Sequence, residues 1–239
     1  MKLLATALFI ALTASLTGAH HKSSEGKAGH HGMTQTKASQ DKLTPNEALQ
    51  RLKDGNARFV KGMSVNRDYI AQAKTTASGQ YPFAIVLGCV DSRVPVEVVF
   101  DQGIGDIFTS RVAGNIAPED VVGSMEFATA AAGSKVILVV GHTACGAVKG
   151  AIDNVKLSKL TGLLDQIQPA VKATDLHSGE TKSSKHAEYV DRVAHNNVKM
   201  TMDRILKDSP VIADMVKSGK VVLAGGMYNL ETGKVDFIN

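Results

Sequence analysis

The sequence predicts an α/β fold: one domain on a mainly parallel central β-sheet flanked by helices. Three observations predict it. Two short apolar runs, Phe83-Ala84-Ile85-Val86-Leu87 and Val136-Ile137-Leu138-Val139-Val140, are bounded by turn residues, the pattern of strands buried on both faces. Stretches of helical periodicity alternate with such runs, which suits the crossovers a parallel sheet needs. Each run also gives way at once to a polar motif, Gly88-Cys89-Val90-Asp91-Ser92-Arg93 after the first and Gly141-His142-Thr143-Ala144-Cys145-Gly146 after the second. In open α/β sheets ligands bind at that carboxyl edge.

The domain is expected to begin near Thr44. Thr44-Pro45-Asn46-Glu47 combines a cap, a proline at the first helical position and a Glu three after the cap. Ala48, Leu49, Leu52 and Phe59 then recur near helical spacing, and Gly62 stops the helix. Tyr81-Pro82 leads into the first strand. Val94 to Phe100, apolar but for Glu97, reads as a short helix or turn, and Ile107 to Val112 as a second strand turned by Gly114-Asn115. Pro118-Glu119-Asp120 opens a helix with acidic residues at the positive end of its dipole. Val121, Val122, Met125 and Ala128 form its buried stripe, and Gly133 ends it. The strand from Lys135 to Gly141 follows. A helix from Gly146 to Val155 begins directly after Cys145, with backbone N–H groups that favour a thiolate or an anion there. Ser158 to Ala173 is helical but broken around Pro169, and the polar stretch Thr174 to Lys185 reads as a loop. Ala187, Val190, Ala194, Val198, Met202 and Ile205 mark a long helix; Ser209-Pro210 caps another, ending at Gly219. Lys220 to Ala224 and Val235 to Ile238 are the last strands, separated by the Glu231-Thr232-Gly233 turn. No repeat and no P-loop appears, and Gly103-Ile104-Gly105 lacks the third glycine of a dinucleotide site.

At 239 residues, 44% hydrophobic and 21% charged, the chain can bury one good-sized core. The net charge of +4 is modest, and no dense basic run interleaves with aromatics, so no nucleic-acid partner is expected. Residues 1–19 read as a secretory signal: Lys2 is the positive region, Leu3 to Leu16 the apolar region, Thr17-Gly18-Ala19 a small-residue cleavage site. The apolar region is too short to span a bilayer, so no stable membrane anchor is expected. Residues 20–43, rich in Lys, Ser, Gly and His, read as a disordered polar leader whose His20-His21 and His30-His31 have at most loose metal affinity. Export implies an oxidising compartment, a bacterial periplasm by its composition.

Cys89 and Cys145 are the only cysteines. In such a compartment a disulfide is one reading of the pair. The other starts from His142, three residues before Cys145: two thiolates and an imidazole are a zinc ligand set, and three protein ligands leave a fourth position open for chemistry. Asp91, two residues from Cys89, stands close enough to take that position or to orient what does. Arg93 lies two further on, where alternate residues of an extended chain share a face, and can hold the Asp91 carboxylate ionised. His177, His186 and His195 read as surface residues, each able to carry a proton.

Cys-x-Asp-x-Arg followed by His-x-x-Cys resembles the β-class carbonic anhydrases. Gly55-Asn56-Ala57-Arg58-Phe59, the Phe100–Phe108 stretch, Arg111-Val112-Ala113-Gly114-Asn115 and the ending from Gly225 to Val235 are also similar to that family, so the likeness runs from about Thr44 to the end and makes 44–239 the catalytic domain. It implies one Zn2+ per chain on Cys89, His142 and Cys145, and reversible hydration of CO2 to bicarbonate and a proton by zinc-bound hydroxide. Asp91 and Arg93 are the implied catalytic pair, with Asp91 joining the metal only in a closed form of the site. Gly146 and Gln102 are candidates for holding substrate, although the count from Arg93 places Gly103, not Gln102, at the family's position. The resemblance further implies a homodimer, with tetramers possible by pairing of dimers. A CS2 or COS hydrolase on the same scaffold, and a non-catalytic zinc-binding module, are the alternatives.

Overall fold

A computed structural model describes residues 33–238. The signal segment 1–19 and most of the leader lie outside the described residues. Among those described, five strands form one sheet in the order β2-β1-β3-β4-β5, where β1 is Ala84–Gly88, β2 Ile107–Arg111, β3 Val136–His142, β4 Val222–Tyr228 and β5 Val235–Ile238. The first four are parallel; β5 returns antiparallel to β4 after the turn at Gly233. The α/β class and the mainly parallel sheet are therefore as the sequence predicts.

Side chains alternate across the strands and supply two cores. On one face Ala84, Val86, Leu138 and Val140 pack under Ala48 and Leu52 of α2 (Pro45–Val60) and Val96 and Val99 of α4 (Val96–Val99). On the other, Ile85, Leu87, Ile137 and Val139 meet Val121, Val122 and Met125 of α5 (Glu119–Glu126), Val198 and Ile205 of α9 (Ala187–Asp208), and Ile212 of α10 (Pro210–Lys217). The capping box of α2 forms as read, with Thr44 Oγ1 and the Glu47 carboxylate exchanging bonds with each other's backbone N–H. The stretch broken at Pro169 resolves into α7 (Ser158–Asp165) and α8 (Gln168–Ala173), with the proline at the start of the second, where its missing N–H costs nothing.

Two helices were not expected. One, α3 (Tyr69–Thr76), is capped by the Asp68 carboxylate. The other, α1 (Lys37–Lys42), corrects the leader expected over 20–43. Its last residues are folded onto the domain, because Gln40 is buried and its Nε2 donates to the Pro82 and Ala132 carbonyls. A polar composition concealed this: the residue that docks the segment is an amide, not a hydrophobe.

The strand order places the motifs. From β1 the chain crosses to β2 on one side, then returns past β1 to β3 on the other, so the connections diverge between β1 and β3. Those two strands lie in register, Leu87 opposite Val139, and both carboxyl ends open at this switch point.

Candidate metal centre

Cys89 is the first residue past β1, His142 the last of β3, and Cys145 the residue before α6 (Gly146–Ile152). Adjacent parallel strands thus deliver two residues 53 positions apart to one point, and a two-residue loop adds the third. One donor atom from each lies within 4.8 Å of the others, and all three residues are buried. Both cysteines are free thiols.

The electrostatics favour a shared cation. The Cys145 thiol, aimed at the Cys89 sulfur, is the main reason Cys89 lies well below the ordinary cysteine range, against the opposing effect of burial. Cys89 in turn pushes Cys145 up, with burial second, while the Ala147 and Val148 N–H groups at the start of α6 pull it back. Gly114, held at φ 69° in the 3₁₀ turn Ala113–Asn115, donates its N–H to Cys89 Sγ at 3.3 Å. A Cβ there would meet Ile167 Cδ1 at 2.5 Å, so only glycine brings this N–H to the sulfur. His142 Nδ1 faces the Thr143 carbonyl at 2.9 Å, which fixes the proton on that nitrogen. Nε2 then carries a bare lone pair, wholly buried, with no hydrogen-bond partner. An orphaned imidazole nitrogen between two buried sulfurs, one already inclined to thiolate, fits a zinc ion with three protein ligands.

Asp91 stands beside the cluster, with Oδ2 3.9 Å from His142 Nε2. Arg93 grips it: its N–H and Nε reach Oδ1 at 3.0 and 2.9 Å, and Nη2 reaches Oδ2 at 2.7 Å. This fork holds the Asp91 carboxyl far below the usual carboxylate range, with burial opposing. Both oxygens of the carboxylate are thus engaged by Arg93. Arg111 secures the loop from below by donating to the Cys89 and Asp91 carbonyls.

Gly146 opens α6 beside Cys145, exposed and with nothing near its missing Cβ. Gln102 is not brought to the site. The chain after α4 runs back to the opposite edge of the sheet, where Asp106 O accepts from Phe83 N, so the five residues of β1, roughly 16 Å of strand, lie between. Gln102 Nε2 donates to the Phe100 carbonyl there, beside Asp101 and Arg67. The likeness of Phe100–Phe108 to the family is better explained by this turn, in which Asp101 accepts from Arg58, Arg67 and the Val65 N–H. Of the proton-carrying histidines, His177 and His195 line a neighbouring hollow with Thr143, and His186 bonds Thr181.

Sequence reasoning gave no role to Gly114, Arg111, Asp191 or Asn197, all of which touch the site's backbone or sulfur. Arg111 and Gly114 carried a signal, as parts of the Arg111–Asn115 stretch and, for Gly114, as a glycine at a turn; Asp191 and Asn197 carried none. A cleft of about 370 Å³ opens beside Arg93, lined also by Thr143, Ala144, Lys149, Asp191 and Leu230.

Comparison with known proteins agrees with this geometry. A sequence model described as carbonic anhydrase matches residues 84–235, a span that holds the whole cluster and its dyad. The chain is 33% identical over 196 residues to "Carbonic anhydrase 2" of Mycobacterium tuberculosis, covering 80% of this chain and 91% of that protein. It is 34% identical over 194 residues to a carbonic anhydrase of Mycolicibacterium smegmatis, covering 80% and 92%. The crystal structure of the β-carbonic anhydrase CafA of Aspergillus fumigatus superposes with a TM-score of 0.61 at 25% identity, covering 81% of this chain and 90% of that one. A cluster of two cysteines and a histidine at the sheet's switch point, on a chain alike over most of its length to these proteins, settles the family: the chain belongs to the β-carbonic anhydrases and is a zinc enzyme of that class.

Proposed function

We propose that Cys89, His142 and Cys145 hold one zinc ion per chain, and that the site hydrates CO2 reversibly to bicarbonate and a proton with Asp91 and Arg93 as its catalytic pair. The observation that carries this is the unpartnered His142 Nε2, buried between two sulfurs with a bidentate Asp–Arg pair at its side. Zinc in that position supplies the Lewis acidity that makes hydroxide available from water near neutral pH. Asp91, kept ionised by Arg93, accepts a hydrogen bond and donates none, so it turns an attacking O–H lone pair toward CO2. Arg93 stays half exposed and holds both oxygens of the Asp91 carboxylate, so that a zinc ion on the three ligands would not need Asp91 as a fourth. The Gly146 N–H, exposed at the start of α6 next to Cys145, is assigned to a substrate oxygen. The released proton leaves through the cleft beside Arg93 to buffer. The Asp91–Arg93 pair favours turnover over a zinc-binding module, which has no use for it.

Metal analysis and stopped-flow CO2 hydration on the same purified protein test the reading. One zinc per chain, with hydration at neutral and at alkaline pH, is expected. A chain without zinc, its two cysteines oxidised together, would overturn it.

The working form is proposed to be a homodimer, with tetramers from paired dimers. Support comes from β2, a sheet edge whose strand pairs only with β1, and from Val98 and Phe127, both exposed; Phe127 packs edge-on against Phe108 of that strand. Export to the periplasm is proposed from residues 1–19. Among the described residues no helix is long and apolar enough to cross a membrane. N-terminal sequencing of the protein from a periplasmic fraction is expected to begin near residue 20; an intact Met1 on protein confined to the cytoplasm would refute export.

A further inference from the structure

The two halves of the cluster hang from loops, and one helix reaches both. From α9, Asp191 Oδ1 accepts the Ala144 N–H at 2.9 Å. Ala144 is one of the two residues between His142 and Cys145, and it sits at φ 55°, in the left-handed region a non-glycine residue avoids. The loop is fixed on its entry side by β4 and the turn after it: the Thr143 N–H donates to the Tyr228 carbonyl, and Thr143 Oγ1 accepts the Leu230 N–H. Its exit is fixed by α6. Only the strained middle depends on α9, where Asp191 is the partner of the Ala144 N–H.

Farther along the same helix, Asn197 is buried and donates Nδ2 to the Gly114 carbonyl at 2.8 Å. The other end of that glycine, its N–H, points at Cys89 Sγ. Both bonds run from a side chain of α9 to a backbone group in the left-handed conformation, and each group adjoins or touches a proposed ligand. Both span long stretches of sequence, 47 and 83 positions. The helix is itself anchored, packing on β3 and β4 with Val193 and Val198 buried.

We propose that α9 is the brace of the metal site, and that Asp191 and Asn197 are positioning residues which set His142 and Cys145 in place relative to Cys89. This rests on the reading of those three residues as zinc ligands. A ligand set held before the metal arrives loses less freedom on binding, so the brace acts on affinity and on ligand geometry rather than on chemistry.

Three variants test it. Asp191→Leu removes the acceptor; Asp191→Asn keeps a side-chain oxygen that still accepts the Ala144 N–H. Asn197→Asp keeps size and shape and removes the donor to Gly114. Zinc affinity by chelator competition is expected to fall about 10–100-fold in Asp191→Leu and Asn197→Asp, and to stay near wild type in Asp191→Asn. In the cobalt-substituted proteins the thiolate-to-metal absorption should shift in the first two only. Wild-type affinity and spectra in Asp191→Leu and Asn197→Asp would overturn the proposal. Asp191→Asn as weak as Asp191→Leu would overturn its hydrogen-bond basis. Should these variants fail to fold, amide exchange in the metal-free wild type decides: Ala144 is expected to be protected, and exchange at the rate of an open peptide would refute the brace. A wild-type chain that takes up neither zinc nor cobalt would refute the ligand reading itself, a result the amide measurement keeps apart.

Discussion

Asp91 carries the sharpest prediction at the scale of single residues. Its carboxylate lies beside the cluster but gives its bonds to Arg93, so Asp91→Ala is expected to keep the full zinc content and lose about 10²–10⁴-fold in CO2 hydration, the range of a lost acid–base or orienting group. Retained zinc with unchanged turnover would sink the role. Asp106 gives a prediction about pH. Burial pushes its carboxyl above the ordinary range, although the Gly103 N–H opposes this. The folded protein therefore holds that proton to higher pH than the unfolded chain, and loses stability as pH rises from the ordinary carboxylate range through the raised pKa. Asp106→Asn keeps an acceptor for Gly103 and cannot ionise. Its stability relative to wild type should climb across that window and stay level above it; urea unfolding at a series of pH values with a constant difference would refute this. The cluster was legible from residue type and spacing because the chain has only two cysteines, one just after the apolar run of β1 and the other three residues after His142 at the end of β3. Asp191 and Asn197 were not legible: an Asp and an Asn on a helix look like any solvated pair until the fold carries them 47 and 83 positions back to the site.

Among the elements, strands and long helices were the readable part, and the polar N-terminal helix was not. Apolar runs of five residues gave β1 and β3 directly, and a stripe from Ala187 to Ile205 gave α9, because each buries hydrophobes at a period the sequence displays. In α1 the only buried residue is Gln40, so there was no periodicity to read. Its docking is a pair of hydrogen bonds to the carbonyls of Pro82, just before β1, and Ala132, just before the Gly133 turn. The same logic fixes its cost. Gln40→Leu leaves the Ala132 carbonyl short of a donor, while the Pro82 carbonyl keeps the Ser134 hydroxyl, so a loss of about 1–3 kcal/mol is expected. Deleting everything up to Lys42 should cost at least as much. If residues before Thr44 were only a solvated leader, both changes would leave urea unfolding untouched. A destabilisation in both places the start of the cooperative unit at α1 instead of at the α2 cap.

For the molecule as a whole, the sheet has two edges and treats them differently. At one, β5 is a short antiparallel strand of four residues, with Asp236 facing solvent, and such a strand offers little for another chain to pair with. At the other, β2 runs half-buried along its length, flanked by exposed Val98 and Phe127. A lone domain in water has no reason to leave these hydrophobes uncovered together beside an open strand, and a second copy meeting the first across this edge would cover both sets at once. The edge is also mechanically tied to the site. Arg111, the last residue of β2, holds the carbonyls of Cys89 and Asp91, so whatever packs on β2 sets the rigidity of the loop that carries Cys89 and Asp91. Association and catalysis should then fail together. Val98→Asp combined with Phe127→Asp places charges on the proposed contact without touching a residue of the cluster. Sedimentation of the wild type is expected to give twice the mature chain's mass or a multiple of it, and the double variant to shift toward the monomer with a fall in turnover and its zinc retained. A double variant that stays fully associated would move the interface elsewhere. One that dissociates yet turns over at the wild-type rate would show that the Asp91 loop is rigid enough alone, held by Arg111 from within its own chain.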